Sequence, residues 1–357
     1  MLWVHYAREK GERNMSNITF MIGNGFDLNL GLKTSYSDMY KGYIESPSQN
    51  DSISLLKKLL EDDAPLYETW GDFEMAMAKH ATQYADEDSF VTALRDFRRH
   101  LTTHLRKENE AFAKFQHNSQ GYMPSYRQEF DRSLDSFYKG QTPNVVREID
   151  SRTRVAGSRK YKFIVFNYTE TFDSIARISR KFADITISHI HGKLGEDILL
   201  GIDNLEQMSQ TPFDCSEKTN RTFIKPKFNE EYDSERLNKT IAMIQNSDVI
   251  CAFGVSFGES DKMWLDAVVD WLQESPTNHL VYYMYNEKDY ADVFPDEKME
   301  EEDELKRVLL NRLCKETSLV QRIFNQVHIP LGHKIFNFKE LEIELSNQEI
   351  EAMLKEI

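Results

Sequence analysis

The chain contains 357 residues, enough for one elaborated domain or two ordinary ones and for a large core that needs neither disulfides nor metal. Its 40% hydrophobic and 29% charged residues, with only 15 Gly and 9 Pro, exclude collagen-like, low-complexity and broadly disordered proteins. The 59 acidic and 44 basic residues give a net charge of −15, which disfavours a uniformly basic nucleic-acid-binding protein.

The three cysteines, Cys215, Cys251 and Cys314, are too few and too widely spaced for a disulfide framework or a four-cysteine zinc site. No apolar run reaches the roughly 18–20 residues that a membrane-spanning helix needs. The opening residues are too charged and too few for a signal peptide, so we expect a cytoplasmic protein without a membrane span. Residues 1–14 precede the first strand pattern and are expected to be an extension or a cloning scar.

The first predicted strand is Ile18–Ile22, and the turn Gly23-Asn24-Gly25-Phe26-Asp27 follows it directly. A buried strand followed by a glycine turn is typical of the start of a nucleotide-binding α/β domain. Glycine tolerates positive φ and allows backbone N–H groups to approach a phosphate, although a plain tight turn explains the same residues about equally well. Residues 28–36, which include Thr34, form a second polar loop that can fold over a ligand.

Residues 46–158 predict a helical insertion between the first strand unit and the next. Two apolar stripes at helical spacing run through it: Leu94, Phe97, Leu101, Leu105 and Phe112, followed by Phe130, Leu134 and Phe137. The segment Trp70–Glu74 either caps and packs a helix or reaches back into a site. The remaining residues, 15–45 and 159–357, are predicted to form the nucleotide-binding core.

The later predicted strands are short runs rich in Ile, Val, Phe and Tyr. They are Phe163–Phe166, Ile185–Ile190, Ile198–Leu200, Val249–Phe253 and Leu280–Tyr285. Amphipathic helices lie between several of them, with apolar faces formed by Phe172, Ile175 and Ile178, and by Trp264, Val268 and Trp271. Strands that alternate with helices predict an α/β fold in which helices flank both faces of a largely parallel sheet.

Asn167 and His191 are the candidate catalytic residues. Asn167 follows a hydrophobic strand, where its amide can bind a ribose or a water, although this segment alone favours a helix cap. His191 lies at a strand end before Gly192, where an exposed imidazole can act as a general base. Strand alternation would direct His189 to the same face, and for His189 we favour a structural role. No recognised ligand spacing accompanies the histidines, so no metal site is predicted.

The loop Gly254–Asp261 follows a strand and precedes the Trp264 helix, a position that favours an anion. Ser260 or Asp261 can instead simply cap the helix. The segment around Ser256 also matches the G-x-S-x-G nucleophile elbow of hydrolases. The downstream histidines that could serve as its base are His279, His328 and His333. A serine hydrolase centred on Ser256 is therefore an alternative hypothesis.

In this order, the motifs resemble those of the AbiH family of bacterial phage abortive-infection proteins. The matching segments are GNGFDL at 23–28, Thr34-Ser35-Tyr36, WGDFE at 70–74, FNYTET at 166–171, HIHG at 189–192 and GVSFGESD at 254–261. They extend over about 240 residues of the chain, so the ordered set is more specific than any single motif.

The AbiH family in turn resembles sirtuin-like NAD-binding domains. This resemblance implies a pyrophosphate loop at Gly23, Gly25 and Phe26, a ribose contact at Asn167, a catalytic base at His191 and an adenosine-side loop at Gly254 and Ser256. Two positions depart from that pattern, because Asn24 separates the glycines and Thr169 stands where an Asp is common. The full predicted cofactor-binding set is Gly23, Asn24, Gly25, Phe26, Asp27, Thr34, Tyr168, Thr169, Gly254, Ser256 and Asp261.

The resulting hypothesis is an antiviral effector that cleaves the nicotinamide–ribose bond of NAD⁺, with NAD as substrate and no metal. A non-catalytic nucleotide sensor is the alternative from another class. Expected partners are a small-molecule nucleotide and a phage-derived or host protein trigger, and a homo-oligomer is compatible with the sequence.

Overall fold

The computed structural model describes residues 15–63, 73–153, 158–286 and 288–339. Its sheet consists of β1 (Met15–Ile22), β2 (Ser158–Val165), β3 (Ile185–His189), β4 (Val249–Phe253), β5 (His279–Tyr283) and β6 (Val327–His328). The six strands are all parallel and lie in the order β3-β2-β1-β4-β5-β6. The predicted α/β class with a parallel sheet is therefore confirmed.

Helices flank this sheet and form most of the remaining structure. They are α1 (Gly25–Asn29), α2 (Tyr36–Glu45), α3 (Asp51–Asp63), α4 (Phe73–His80), α5 (Glu87–Asn118), α6 (Met123–Ser136), α7 (Pro143–Thr153), α8 (Thr171–Arg177), α9 (Glu217–Phe223), α10 (Lys225–Tyr232), α11 (Ser234–Gln245), α12 (Lys262–Glu274), α13 (Pro295–Leu313) and α14 (Thr317–Ile323). None of these described helices combines the length and apolar character that a bilayer crossing requires.

Each face of the sheet carries its own apolar core, because alternate residues of a parallel strand point to opposite faces and both faces are covered. On one face, Phe20 and Phe163 pack against α6, α8 and the segment around Phe336. On the other, Met21 and Ile250 pack against α11, α12, α13 and α14. The predicted apolar face of α12 is buried against this second side of the sheet.

The longest helix, α5, forms because its 32 residues contain neither Gly nor Pro and its apolar stripe is continuous. The Asp86 carboxylate caps it by accepting the Ser89 N–H at 2.8 Å. The first part of α5 packs with α2, α3 and α4 in a third apolar cluster, whereas Phe112 near its end joins the core of the sheet. The division into a core and an insertion at residues 46–158 stays a prediction.

The predicted strand Ile198–Leu200 is wrong. These residues lie in irregular chain outside the sheet, where the side chains of Ile198 and Leu200 are buried in the third apolar cluster with residues of α4 and α5. The run is apolar because helices cover it, which sequence alone cannot distinguish from a buried strand. The two-residue strand β6 was not predicted, since two positions carry no detectable periodicity.

Candidate functional site

A pocket of about 420 Å³ lies at the carboxyl ends of β1, β2 and β4. The strand order reverses at this point, because the chain extends the sheet to one side of β1 through β2 and β3 and to the other side through β4. Open parallel sheets bind their ligands outside such a reversal point. The pocket volume falls within the range of small-molecule and cofactor sites.

The pocket brings together all but one of the predicted site residues. Those on its wall are Gly23, Asn24, Gly25, Asp27, Thr34, Asn167, Tyr168, Thr169, His191, Gly254, Ser256 and Asp261. Phe26 lies outside it, since its ring is buried in the aromatic core 5.1 Å from the Phe172 ring centre. The structure thus places these residues at one site, while their individual binding and catalytic roles stay predictions.

The two glycine loops at the pocket floor pack directly against each other. The Gly23 N–H donates to the Phe253 carbonyl at 2.9 Å, and the Gly25 N–H donates to the Gly254 carbonyl at 3.1 Å. A Cβ atom on Gly25 would lie 2.5 Å from the Gly254 Cα, and Gly254 itself has φ +67°. Because these N–H groups already donate to protein carbonyls, the glycines are required for close loop packing rather than for an open phosphate cradle.

The loop after α1 is attached to the glycine turn and to α5. The Asn24 amide accepts from the Thr34 hydroxyl at 2.7 Å and donates to the Thr34 carbonyl at 3.2 Å. The neighbouring Lys33 contacts α5 twice, with its N–H 2.9 Å from Glu108 Oε2 and its carbonyl 2.6 Å from His104 Nε2. Asn24, which departs from the sirtuin-like pattern, therefore anchors the second polar loop.

Asp27 is a fully buried carboxyl group at the base of the pocket. Thr169 Oγ1 donates to it at 2.5 Å, and Thr171 donates to its other oxygen. Burial raises the pKa of Asp27, while the two hydroxyls and the nearby Asn167 amide oppose that rise. Thr169 acts as a hydrogen-bond donor, which an ionised Asp at this position could not do.

The Asn167 side chain is the most evident unpaired polar group of the pocket. It is 4% exposed, and neither amide atom has a partner at hydrogen-bonding geometry among the described residues. The helix-cap interpretation is wrong, because α8 begins after Glu170 and receives no side-chain cap from Asn167. The amide opposes the rise in the pKa of the Asp27 carboxyl group, and a buried amide without well-formed hydrogen bonds is unfavourable by about 1–3 kcal/mol unless a water or a ligand pairs with it.

His189 has the structural role that the sequence favoured. Its Nδ1 lies 3.1 Å from the Asn167 carbonyl oxygen and its Nε2 lies 2.7 Å from Asp173 Oδ2. It therefore fixes the backbone of the Asn167 loop to α8. The predicted alternation does not extend to His191, because β3 ends at His189 and His191 lies in the following turn.

His191 is part of a buried charged cluster. Its Nε2 lies 2.9 Å from Asp261 Oδ1, at an angle that does not make a hydrogen bond. Lys225 Nζ contacts the same Asp261 oxygen at 2.9 Å, Glu74 Oε2 at 3.1 Å and the Ser260 carbonyl at 3.1 Å. Burial opposes ionisation of Asp261, but the charge of Lys225 and the proximity of His191 hold its pKa well below its usual range.

The sequence did not reveal Lys225 or Asp203. Lys225 is 4% exposed, and although burial disfavours its charge, Asp261 and Glu74 raise its pKa above the ordinary value. Asp203 Oδ2 accepts the Met263 N–H at 2.5 Å and so caps α12, a role expected of Ser260 or Asp261. Burial raises the pKa of Asp203 to about 6. Lys225 follows neither a strand nor a glycine turn, whereas Asp203 follows Gly201 and the apolar run 198–200, a signal that could have marked it.

The WGDFE segment is only partly described. Trp70, Gly71 and Asp72 lie outside the described residues, whereas Phe73 and Glu74 begin α4. The Phe73 ring stacks on Tyr36 with 4.6 Å between ring centres. Glu74, which the sequence left open between packing and the site, lines the pocket and binds Lys225.

The geometry gives little support to Ser256 as a nucleophile. Ser256 is exposed at the pocket, and its carbonyl accepts from Arg312 Nη1 at 3.1 Å. His279 begins β5, at the opposite edge of the sheet, and its Nδ1 lies 3.0 Å from His328 Nε2. His333 Nδ1 lies 2.8 Å from the hydroxyl of Tyr283. The three predicted bases thus have other contacts.

Among the described residues, no group of three or more His, Cys, Asp or Glu side chains is arranged to hold a metal ion.

Comparison with known proteins identifies the family. The model for "Bacteriophage abortive infection AbiH" matches residues 19–283, a range that extends from β1 to the end of β5 and contains nearly the whole pocket wall. No curated protein matches the chain. Because the match covers well over half of the 357 residues, this protein belongs to the AbiH family, which indicates a role in abortive infection against bacteriophage.

Proposed function

We propose that this protein is an abortive-infection effector that binds NAD⁺ in the pocket at the strand-order reversal and hydrolyses its nicotinamide–ribose bond. The observation that carries the proposal is the pair formed by the unpartnered Asn167 amide and the His191–Asp261 contact on one pocket wall. The strand order also supports it, since 3-2-1-4-5-6 is the order of dinucleotide-binding sheets with a ligand at the reversal point.

The proposed reaction assigns each proton and electron pair. The C–N bond breaks, and its electron pair leaves with nicotinamide, which becomes neutral. A water oxygen forms the new bond to the ribose carbon, and His191 takes the proton that this water releases. Asn167 positions the water or a ribose hydroxyl, and the Asp261 carboxylate favours the imidazolium that forms.

In this proposal the pocket positions the reacting groups. Leu101 and Leu105 of α5 and Phe166 form an apolar part of the pocket wall, against which the reacting bond would lie in this proposal. Placement of reactants contributes at most about 7–11 kcal/mol to a lowered barrier. A general base adds about 10²–10⁴-fold.

Incubation of the purified protein with NAD⁺ and quantification of nicotinamide and ADP-ribose test this proposal. Asn167→Ala should abolish release in a protein that still folds, because the lost amide makes no hydrogen bond of good geometry and acts within the fold through its effect on the pKa of Asp27. Asn118→Ala, an exposed change at the end of α5, is the matched control and should keep the parent activity. Absence of release from a folded parent protein would contradict the proposal.

A nucleotide sensor is the second candidate, and the contacts of α5 favour it. His104 and Glu108 contact the carbonyl and N–H of Lys33, while Asn109 accepts the Glu170 N–H at 3.0 Å. One long helix therefore touches two loops of the pocket and can respond to its occupant. In this case NAD⁺ would raise the melting temperature without release of nicotinamide.

A further inference from the structure

The charge of the pocket wall limits the part of a nucleotide that it can accept. Its ionisable groups include the carboxyl groups of Asp27, Glu74 and Asp261 and the imidazole of His191. No Lys or Arg lies on this wall among the residues that the structure describes. Lys225, behind the wall, offsets the charge of one carboxylate, but three carboxyl groups still face one ammonium group, so the wall favours a cation over a phosphate.

The glycine turn and the buried lysine, two groups of the kind that commonly bind a phosphate, are already engaged. The N–H groups of Gly23, Gly25 and Phe26 donate to the carbonyls of Phe253, Gly254 and Gly23 respectively. The Lys225 ammonium has three donors, and they face Glu74, Asp261 and the Ser260 carbonyl at 2.9–3.1 Å. At 4% exposure it has neither the access nor a free donor for a ligand.

From the same site, and resting on the proposed function, we infer that the pocket selects the cationic nicotinamide riboside half of its substrate. The carboxylates favour the positive pyridinium ring, and they also favour the positive ribosyl group that develops as the C–N bond breaks. The unpartnered Asn167 amide can donate to and accept from ribose hydroxyls. The phosphates then lie at or beyond the pocket mouth and contribute little to recognition.

A matched pair of ligands tests this charge selection. Nicotinamide riboside and its reduced dihydro form have the same hydroxyls and nearly the same shape, but only the oxidised form is cationic. Calorimetry with the His191→Ala protein, which prevents turnover, should give at least tenfold tighter binding of the oxidised form. ADP-ribose, which has both phosphates and no pyridinium, should also bind at least tenfold more weakly than nicotinamide riboside.

A variant of a wall carboxylate tests whether the wall carboxylates cause the preference for the cationic riboside. Glu74→Gln should reduce the preference for the oxidised riboside severalfold, whereas Glu259→Gln, an exposed carboxylate outside the pocket wall, should leave it unchanged. If Glu74→Gln does not fold, the ligand comparison in the His191→Ala protein still decides the question.

The outcomes separate this inference from the proposed function. ADP-ribose that binds as tightly as nicotinamide riboside, or equal affinities for the two ribosides, would overturn charge selection even if the parent protein releases nicotinamide from NAD⁺. Tighter binding of the oxidised riboside without nicotinamide release from NAD⁺ would support the selected ligand class and contradict the hydrolase.

Discussion

Replacement of Lys225 by Met should strongly destabilise the fold. Lys225 is 4% exposed and is the cation between Glu74 and Asp261, with Nζ–oxygen distances of 3.1 and 2.9 Å. Met retains most of the aliphatic volume but leaves two buried carboxylates without their counterion. Removal of one partner from a buried ion pair typically lowers the free energy of unfolding by about 3–5 kcal/mol.

The pH dependence provides an independent check of the Lys225 prediction. In the parent, the pKa of Asp261 is depressed, so its stabilising contribution is present above its unfolded pKa and is lost as pH falls through the folded value. Without Lys225 that depression weakens, so Asp261 takes up a proton at a higher pH in the variant than in the parent. The difference in stability between the parent and Lys225→Met should therefore be largest near pH 7 and shrink below about pH 4.

Denaturant unfolding at pH 7 and at acidic pH measures both effects. Lys227→Met is the matched control on the same helix, because the Lys227–Glu230 ion pair is exposed on both sides and its loss should have a much smaller effect. Equal destabilisation by the two changes, or a loss for Lys225→Met that does not vary with pH, would refute the reasoning from the buried cluster.

Three further changes probe the surroundings of the site. Gly25→Ala should destabilise the protein by about 1–3 kcal/mol or more, since its Cβ would lie 2.5 Å from the Gly254 Cα. Gly121→Ala meets open space and should be tolerated, so equal melting temperatures for the two variants would contradict this. Because the pKa of Asp203 is raised to about 6, the parent becomes less stable as pH rises from about 4 to 6. Asp203→Asn should reduce that loss of stability by about 1–3 kcal/mol in denaturant unfolding, and an unchanged dependence of stability on pH would contradict this prediction. His189→Ala should lower the free energy of unfolding by about 1–3 kcal/mol through the loss of its two side-chain contacts, and a neutral effect in thermal denaturation would show that these contacts contribute nothing.

The strands of the fold were predictable where the sheet buries both faces. Ile18–Ile22 and Val249–Phe253 are short apolar runs, and the structure has them as part of β1 and as β4. The same signal failed at Ile198–Leu200, because burial under helices gives the same composition as burial in a sheet. An apolar run predicts that a segment is buried, but whether it pairs as a strand depends on the rest of the fold.

The site residues were predictable only where a polar side chain follows a predicted strand in the sequence. Asn167 and His191 come directly after β2 and shortly after β3, and the parallel sheet brings both carboxyl ends to one edge. Lys225 and Asp203 belong to a helix and a loop whose positions depend on tertiary contacts with α4 and α12. The partners of their side chains lie 35 to 151 positions away in the chain, so these contacts cannot be inferred from neighbouring residues.

The rate of nicotinamide release from NAD⁺ by the parent protein and by His191→Ala tests the central claim most directly. The account predicts measurable release by the parent and a loss of at least about 10²-fold in the variant, with a folded protein in both cases, because a general base typically contributes that much. Release at the same rate from both proteins, or none from a folded parent, would contradict it.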